Sequence, residues 1–281
     1  MWLAWLVGKL DFKRLKLLGA MLGGVARALR IRRAHVLRAM RRAGVQTAED
    51  CASRMYGNLG TSIFELLWLT CRATRDLDRW VRIDGWERVV AVKRAGGFIV
   101  ATAHTGNWDL AACYVAEHLA LTVVTKHLKN GWLDRFWQTM RSSKGVDLVS
   151  SNGTIARCAQ ALRDGRAVGI LIDQAPHRAS GTVKLAFLGA PAKHDAAFAL
   201  LAARYRVPIV VAFARRENAH EHVIEVVDVI EPSRHPDSEW ISNTVDRVAR
   251  QLERFVLAHP DQWLWLHRRW RSHGTRRSSR P

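Results

Sequence analysis

The chain has 281 residues, of which 48% are hydrophobic, so it can bury the core of one large domain or two small ones. Its formal net charge of +19 and pI of about 11.0 predict an anionic partner, such as nucleic acid, an anionic membrane surface, a phosphorylated lipid or an acidic carrier protein. Four cysteines without a CxxC pair, and the lack of metal-ligand spacing, predict buried reduced thiols and no metal site.

The first 80 residues are predicted to be helical throughout, and positive charge is concentrated there. Residues 9–42 carry eleven Lys or Arg against one acid, Asp11. Trp2, Trp5 and several leucines alternate with these cations, a pattern typical of a helix lying in the interface of an anionic bilayer. Packing of the amphipathic helix on its own domain is the alternative. No signal-peptide pattern fits, and no apolar run reaches the ~18–20 residues needed to span a bilayer.

A second helical segment, residues 55–71, is almost entirely apolar and contains a single carboxylate, Glu65. A lone carboxylate among apolar residues is either paired within the protein or close to a functional cleft, and we expect Glu65 to be paired.

From residue 81 the pattern changes to alternating strands and helices. Predicted strands lie at 82–85, 97–103, 121–125, 146–149, 167–172, 183–187, 207–213 and 223–230. Predicted helices lie at 87–94, 109–119, 130–142, 153–163, 196–205 and 240–259. This alternation predicts an α/β fold with a mixed, mostly parallel central sheet and helices on both faces, preceded by a helical N-terminal segment. We divide the single domain into a helical segment 1–80, a core 81–271 and a disordered basic tail 272–281.

The most informative motif joins an apolar strand to a helix. His104 follows the apolar run 97–103, Gly106 allows a sharp turn, and Asn107 can cap a helix that begins at Trp108. Asp109 then lies in the first helical turn, where we expect it to orient the imidazole. A histidine held in this way is suited to act as a general base on a hydroxyl group.

The same spacing recurs at His220 and Glu225, in a polar turn between two apolar runs. We interpret that turn as a hairpin loop. Two residues five positions apart on one continuous helix point about 140° apart, so a working pair needs a break between them. Only the first pair has the break from strand through Gly106 and Asn107 to helix between its members.

Polar residues also follow two other predicted strands: Lys126 follows one, and Asp173 and Gln174 follow another. Ligands of α/β sheets bind at the carboxyl ends of strands, so these residues are expected to converge with His104. A base and a cation at one edge suit acyl transfer, in which a hydroxyl attacks a thioester and the oxyanion is stabilised. The chain lacks GxSxG, GxGxxG and Walker motifs, which disfavours serine-nucleophile and nucleotide chemistry.

Further motifs occur in a fixed order: TAHTGNWD at 102–109, LKN at 128–130, LDR at 133–135, RSSK at 141–144, LIDQ at 171–174, FLG at 187–189 and HPDQWLWLHRRW at 259–270. Together they resemble the lipid A biosynthesis (late lauroyl/myristoyl) acyltransferases of the lysophospholipid acyltransferase-like superfamily. The closing block is the most specific of these motifs, whereas the His-x4-acid spacing alone is not specific to the family.

The resemblance implies a role for each matching residue. His104 would be the general base and Asp109 its orienting carboxylate. Arg141 would contact the phosphorylated substrate or the oxyanion, and Asp173, a second essential acid, would hold that arginine or the acceptor. The remaining predicted substrate-binding residues are Lys126, Asn130 and Gln174.

The resemblance also implies acyl-carrier protein, or acyl-CoA, as donor and an anionic lipid as acceptor, most readily a lipid A precursor or related glycolipid. No metal, organic cofactor or nucleic acid partner is expected. The protein would lie peripherally on the inner membrane, with its active site on the cytoplasmic side.

The chain departs from the family pattern at three places. Asp109 stands where the family often has Glu, although Asp also occurs there. Residues 125–127 (TKH) stand where many relatives have an aromatic-Arg-Pro triplet, and residues 175–177 (APH) are less acidic than usual. A lysophospholipid or lipoamino acid acceptor therefore stays open. The alternative from a different class is a non-catalytic basic protein that binds lipid or nucleic acid.

Overall fold

The computed structural model describes residues 2–150, 153–176, 180–218 and 221–270, without the side chains of residues 2–4 and 12. The predictions for the Trp2 side chain, His177, His220 and the tail lie outside this part of the chain. The N-terminal region is helical as predicted, with helices α1 (Trp2–Val7), α2 (Phe12–Ala28), α3 (Arg33–Arg42) and α4 (Ala48–Thr70), then a 3-10 helix at Thr74–Leu77. Among the described helices, none is both long and apolar enough to cross a membrane.

The rest of the chain alternates strands and helices. In chain order these elements are β1 (Val81–Asp84), α5 (Trp86–Ala95), β2 (Phe98–Thr102), α6 (Trp108–His118), β3 (Leu121–Val124), α7 (Gly131–Ser143), β4 (Asp147–Val149), α8 (Thr154–Arg163), β5 (Ala167–Leu171), β6 (Thr182–Phe187), β7 (Ala190–Asp195), α9 (Ala197–Tyr205), β8 (Ile209–Arg216), β9 (His222–Ile230) and α10 (Ser238–Ala258).

The central sheet has seven strands in the order β1-β9-β8-β2-β5-β3-β4. All neighbouring strands are parallel except β8 and β9, which form an antiparallel hairpin. The predicted mixed, mostly parallel sheet is confirmed. Strands β6 and β7 form a separate antiparallel pair. Strand β7 is not predictable from the sequence, because its residues APAKHD contain a proline and lack the branched apolar side chains that signal a strand.

Helices cover both faces of this sheet, so its strands are apolar on both sides. Along β2, Ile99 and Ala101 face a core formed with α3, α8, α9 and α10. Phe98 and Val100 face a second core formed with α5, α6 and α7. Cys51, Cys113 and Cys158 are buried as predicted, but the prediction is wrong for Cys71, which is exposed just after α4 ends.

Helices α2 and α4 approach each other closely because glycines line their contact. A Cβ atom at Gly19 would meet the backbone of Thr61, and one at Gly60 would meet the carbonyl of Gly19. At Gly23 a Cβ atom would meet the carbonyl group of Tyr56. At the neighbouring Gly24, no described atom beyond its chain neighbours and the nearby backbone of α2 lies within 4 Å of such a Cβ position.

We therefore expect opposite effects from two adjacent substitutions. Gly23→Ala should lower the free energy of unfolding by about 1–3 kcal/mol, because α2 must move away from α4. Gly24→Ala should raise it by about 0.5–1 kcal/mol, because alanine favours the helix and meets nothing. Urea unfolding of the two variants measures the difference, and equal effects would contradict the close packing of α2 on α4.

Candidate active site

The predicted strand, turn and helix around His104 are present. Strand β2 ends at Thr102, and Gly106 turns the chain with a φ of +54°. A Cβ atom at Gly106 would come within 2.8 Å of the Ala214 carbonyl oxygen, so the turn also requires a residue without a side chain. Asn107 caps α6, and its Oδ1 accepts a hydrogen bond from the backbone N–H of Leu110 at 3.2 Å.

The closing segment 262–267 holds this turn from outside. The backbone N–H of Gly106 donates to the Gln262 carbonyl at 2.7 Å, and the N–H of Leu264 donates to the His104 carbonyl at 3.0 Å. Thr105 and Trp263 form an isolated antiparallel bridge. These contacts explain structurally why the closing motif belongs to the site.

Asp173 is the carboxylate that contacts His104. Its Oδ1 lies 2.8 Å from His104 Nδ1, and its Oδ2 accepts from the His104 backbone N–H at 3.2 Å. Trp263 Nε1 donates to the same Oδ2 at 2.9 Å. The register of β2 and β5 explains this contact. Thr102 pairs with Leu171, which places the residues two positions further on, His104 and Asp173, side by side.

The charge state of Asp173 fixes the proton on His104. Complete burial alone would raise the pKa of the Asp173 carboxyl, but the His104 ring and the hydrogen bonds hold this pKa well below its ordinary value. An ionised carboxylate can only accept, so Nδ1 of His104 carries the proton. The lone pair of Nε2 is then free to act as a base.

Asp109 has a different partner. Its Oδ1 lies 2.8 Å from Nη2 of Arg141, and its Oδ2 accepts from Trp137 Nε1 at 3.0 Å. Two predicted contacts are therefore wrong: Asp173, not Asp109, orients His104, and Arg141 is held by Asp109, not by Asp173. The reason is that Asp109, in the first turn of α6, faces α7, which carries both Trp137 and Arg141. The alternative role predicted for Asp173, holding the acceptor, stays a prediction. The catalytic and binding roles of these residues stay predictions.

Two of the other predicted binding residues lie at the site. The amide nitrogen of Gln174 is 3.5 Å from Nε2 of His104. Lys126 is exposed at the rim of the cavity described below. Asn130 instead caps α7, and its Oδ1 accepts from the backbone N–H of Leu133 at 3.0 Å. Arg141 also reaches the end of β3, where its Nη1 donates to Thr125 Oγ1 at 3.0 Å.

Two aromatic rings that received no role from the sequence pack against His104. The ring centroids of Trp108 and His267 lie 4.9 and 4.6 Å from that of His104, both in edge-on geometry. Burial and the neighbouring His104 lower the pKa of His267 to about 4, so its ring is neutral at neutral pH. Trp108 lies in the motif TAHTGNWD and His267 in HPDQWLWLHRRW. Their place in these motifs is the one feature of the sequence that points to a position at the site.

His104, Asp173 and His267 offer ligand atoms within 4.8 Å of one another, a spacing that could hold a metal ion. A metal would have to displace hydrogen bonds that Asp173 already accepts from His104 and Trp263. The arrangement as it stands is that of a histidine base oriented by a carboxylate.

A cavity of about 1610 Å³ opens at His104. One stripe of α6 and its end lines it with Trp108, Ala111, Ala112, Val115 and Leu119. Opposite them lie strand residues on the same face of the sheet, ending at Phe98 and Leu121. From Thr102 to Phe98 the wall extends roughly 13 Å at 3.3 Å per residue. Further lining residues, including Phe198 and Leu201, lie on the other face of the sheet.

A buried ion pair supports the turn from behind. Glu65, predicted to be paired, binds Arg216 through both carboxylate oxygens and also accepts from Nδ2 of Asn107 at 2.9 Å. Burial would raise the pKa of Glu65, but Arg216 and His222 hold it well below its ordinary value. Removing one partner of such a buried pair typically lowers the free energy of unfolding by about 3–5 kcal/mol. Because Asn107 is bonded to this pair, the network holds the turn in position.

Comparison with known proteins adds independent information. The family model described as bacterial lipid A biosynthesis acyltransferase matches residues 1–272. The phosphatidylinositol mannoside acyltransferases of two Mycobacterium tuberculosis strains are each 26% identical over 228 residues, which cover 78% of this chain and 69% of theirs. The crystal structure of the 1-acyl-sn-glycerophosphate acyltransferase PlsC from Thermotoga maritima superposes with a TM-score of 0.41 and 12% identity, over 87% of this chain and 98% of that chain.

Proposed function

The chain belongs to the bacterial lipid A biosynthesis acyltransferase family, and we propose that it transfers a fatty acyl group from acyl-carrier protein to a hydroxyl of an anionic lipid at a membrane surface. One observation carries the proposal. Asp173 fixes the proton on Nδ1 of His104, which leaves Nε2 as a base at the mouth of an apolar cavity.

In the proposed reaction Nε2 of His104 takes the proton of the acceptor hydroxyl while the hydroxyl oxygen attacks the thioester carbonyl carbon. The new carbon–oxygen bond forms, the carbon–sulfur bond breaks, and the thiolate leaves. The imidazolium then returns the proton to the thiolate, so the products are an ester and a free thiol. Asp173 stabilises the imidazolium between these two steps, because its carboxylate stays ionised and accepts from Nδ1.

The distribution of charge around the cavity supports an anionic acceptor. The cations Arg141, Lys126 and Arg204 line the cavity together with His104, and most of its other lining residues are apolar. Asp109 offsets the charge of Arg141, but Lys126 has no ion-pair partner among the described residues. The net charge of +19 also suits a strongly acidic carrier protein as donor, with acyl-CoA as the alternative.

The names of the family and of its mycobacterial relatives favour a glycolipid acceptor. A lipid A precursor or a related glycolipid is the acceptor we propose, and a lysophospholipid or lipoamino acid would be consistent with the same chemistry. The exposed apolar face of α2, among many cations, supports a peripheral position on the inner membrane with the active site on the cytoplasmic side.

Replacing His104 tests the reaction directly. His104→Ala should lower acyl transfer by about 10²–10⁴-fold, because the hydroxyl loses its base. Turnover is measured with the purified protein and acyl-carrier protein thioesters. A separate experiment, mass spectrometry of lipids from cells with and without the gene, identifies the acceptor. His235→Ala, which removes an exposed histidine from a distant loop, is the control and should keep full activity. Unchanged turnover in a folded His104→Ala protein would rule out the proposed mechanism.

The shape of the cavity predicts where chain length is controlled. Across the sheet, Val210, Val100, Gly169 and Val123 occupy one row, as the strand registers show. Gly169 alone in this row has no side chain, so it leaves room for a hydrocarbon chain in the cavity that it lines together with Ala112 of α6. A Cβ atom there would lie 3.3 Å from Cγ2 of Val123, at the end of a side chain that can shift.

Gly169→Val should therefore reduce turnover of long-chain donors at least about tenfold more than that of short-chain donors. The measurement is a series of donor chain lengths under identical conditions. Gly131→Ala, where a Cβ atom meets nothing within 4 Å, should leave the chain-length profile unchanged. An equal loss for all donors would show that the acyl chain does not pass Gly169.

A further inference from the structure

Helix α2 exposes an apolar stripe that no other described residue covers. Leu17, Met21, Val25 and Leu29 recur every four residues, and each is more than half exposed. Ile31, in the turn that follows α2, is also exposed. Apolar side chains at this spacing form one continuous face along the helix.

This stripe leads into a groove lined by arginines. The groove has a volume of about 730 Å³ and lies along α3, with Ala34, Leu37 and Glu49 among its lining and cations supplied by Arg30, Arg33, Arg38 and Arg41. We call it the arginine groove. Glu49 is its only acidic lining residue, so the formal charge of the lining is positive.

The four arginines are not equivalent. Glu49 accepts from Nη2 of Arg33 at 2.5 Å and from Nη2 of Arg41 at 3.1 Å. Arg30 and Arg38 have no ion-pair or hydrogen-bond partner for their side chains among the described residues. Two guanidinium groups thus remain available to an external anion, and guanidinium binds phosphate oxygens with two parallel hydrogen bonds.

We propose that the arginine groove binds the phosphate of an anionic phospholipid headgroup, while the apolar stripe of α2 enters the same leaflet. The neighbouring apolar residues favour a bilayer over an acidic protein. Leu29 and Ile31 flank Arg30 in sequence and are both exposed, so a bilayer would bury them and neutralise the arginines together. An acidic protein seated on the arginines alone would leave the stripe in water.

The arginine groove is also connected to the active site. In the turn before α3, Nη1 of Arg32 donates to the Leu266 carbonyl at 2.7 Å. In α3 itself, Nε2 of His35 lies 2.8 Å from the carbonyl of His267, whose ring packs on His104. A lipid bound in the groove would hold the closing segment at a fixed distance from the membrane. The inference rests on the proposed membrane location, not on the proposed chemistry.

Vesicle flotation of the full chain tests the inference. Phosphatidylcholine vesicles with and without phosphatidylglycerol are the probes. Arg30→Ala/Arg38→Ala should weaken binding to the anionic vesicles by about 30-fold, since each arginine near a charged surface contributes about 1 kcal/mol. Arg30→Lys/Arg38→Lys keeps the charge without the paired donors and should recover part of the loss.

The matched control is Arg79→Ala/Arg94→Ala, which removes the same charge from two exposed arginines. Arg94 lies on α5, which packs on the opposite face of the sheet from α3. This control should change binding less than about threefold. Equal losses in the two double variants, an equal loss on pure phosphatidylcholine, or a selective loss of carrier-protein binding would each overturn the inference.

Turnover in detergent micelles separates the two proposals. The Arg30→Ala/Arg38→Ala protein should keep wild-type turnover there, because neither arginine lies in the cavity at His104. If the wild-type protein shows no turnover in micelles, the proposed function fails, and vesicle flotation still decides the inference on the arginine groove.

Discussion

The site depends on one buried carboxylate. Asp173 is fully buried, and a buried charge is stable only when hydrogen bonds replace the water that it loses. Its bonds come from the ring and backbone of His104 and from the indole of Trp263, so three distant parts of the chain must meet at this point. The same bonds place the proton on His104 Nδ1 and leave the lone pair of Nε2 free. The hydrogen bonds that stabilise the buried Asp173 carboxylate are therefore the same bonds that set the position of the proton on His104.

The cavity separates apolar from charged chemistry. Alanine, valine and leucine side chains of α6 and the sheet form much of its lining, and the cations Lys126, Arg141 and Arg204 line it together with His104. An acyl chain gains by burial in the first region, whereas a headgroup or carrier protein gains by ionic contact in the second. The transfer that we propose, from an acidic carrier to an anionic lipid, would use both regions.

Much of the fold could be predicted because local patterns specify it. The apolar runs 97–103 and 167–172 predicted β2 and β5, and Gly106 with Asn107 predicted the turn and the start of α6. The pairing of carboxylates could not be predicted in this way. Asp109 is close to His104 in sequence, but it turns to α7, whereas Asp173 is 69 positions away and arrives through the register of two parallel strands. Chain order does not state which strands are neighbours, and that adjacency decides the contact.

Proton NMR of the His104 ring tests the central claim, that Asp173 rather than Asp109 orients this histidine. A hydrogen-bonded Nδ1–H gives a resonance far downfield, which His104→Ala assigns by its disappearance. We expect this resonance to persist in Asp109→Ala and to be lost in Asp173→Ala. Loss in Asp109→Ala with retention in Asp173→Ala would contradict the account.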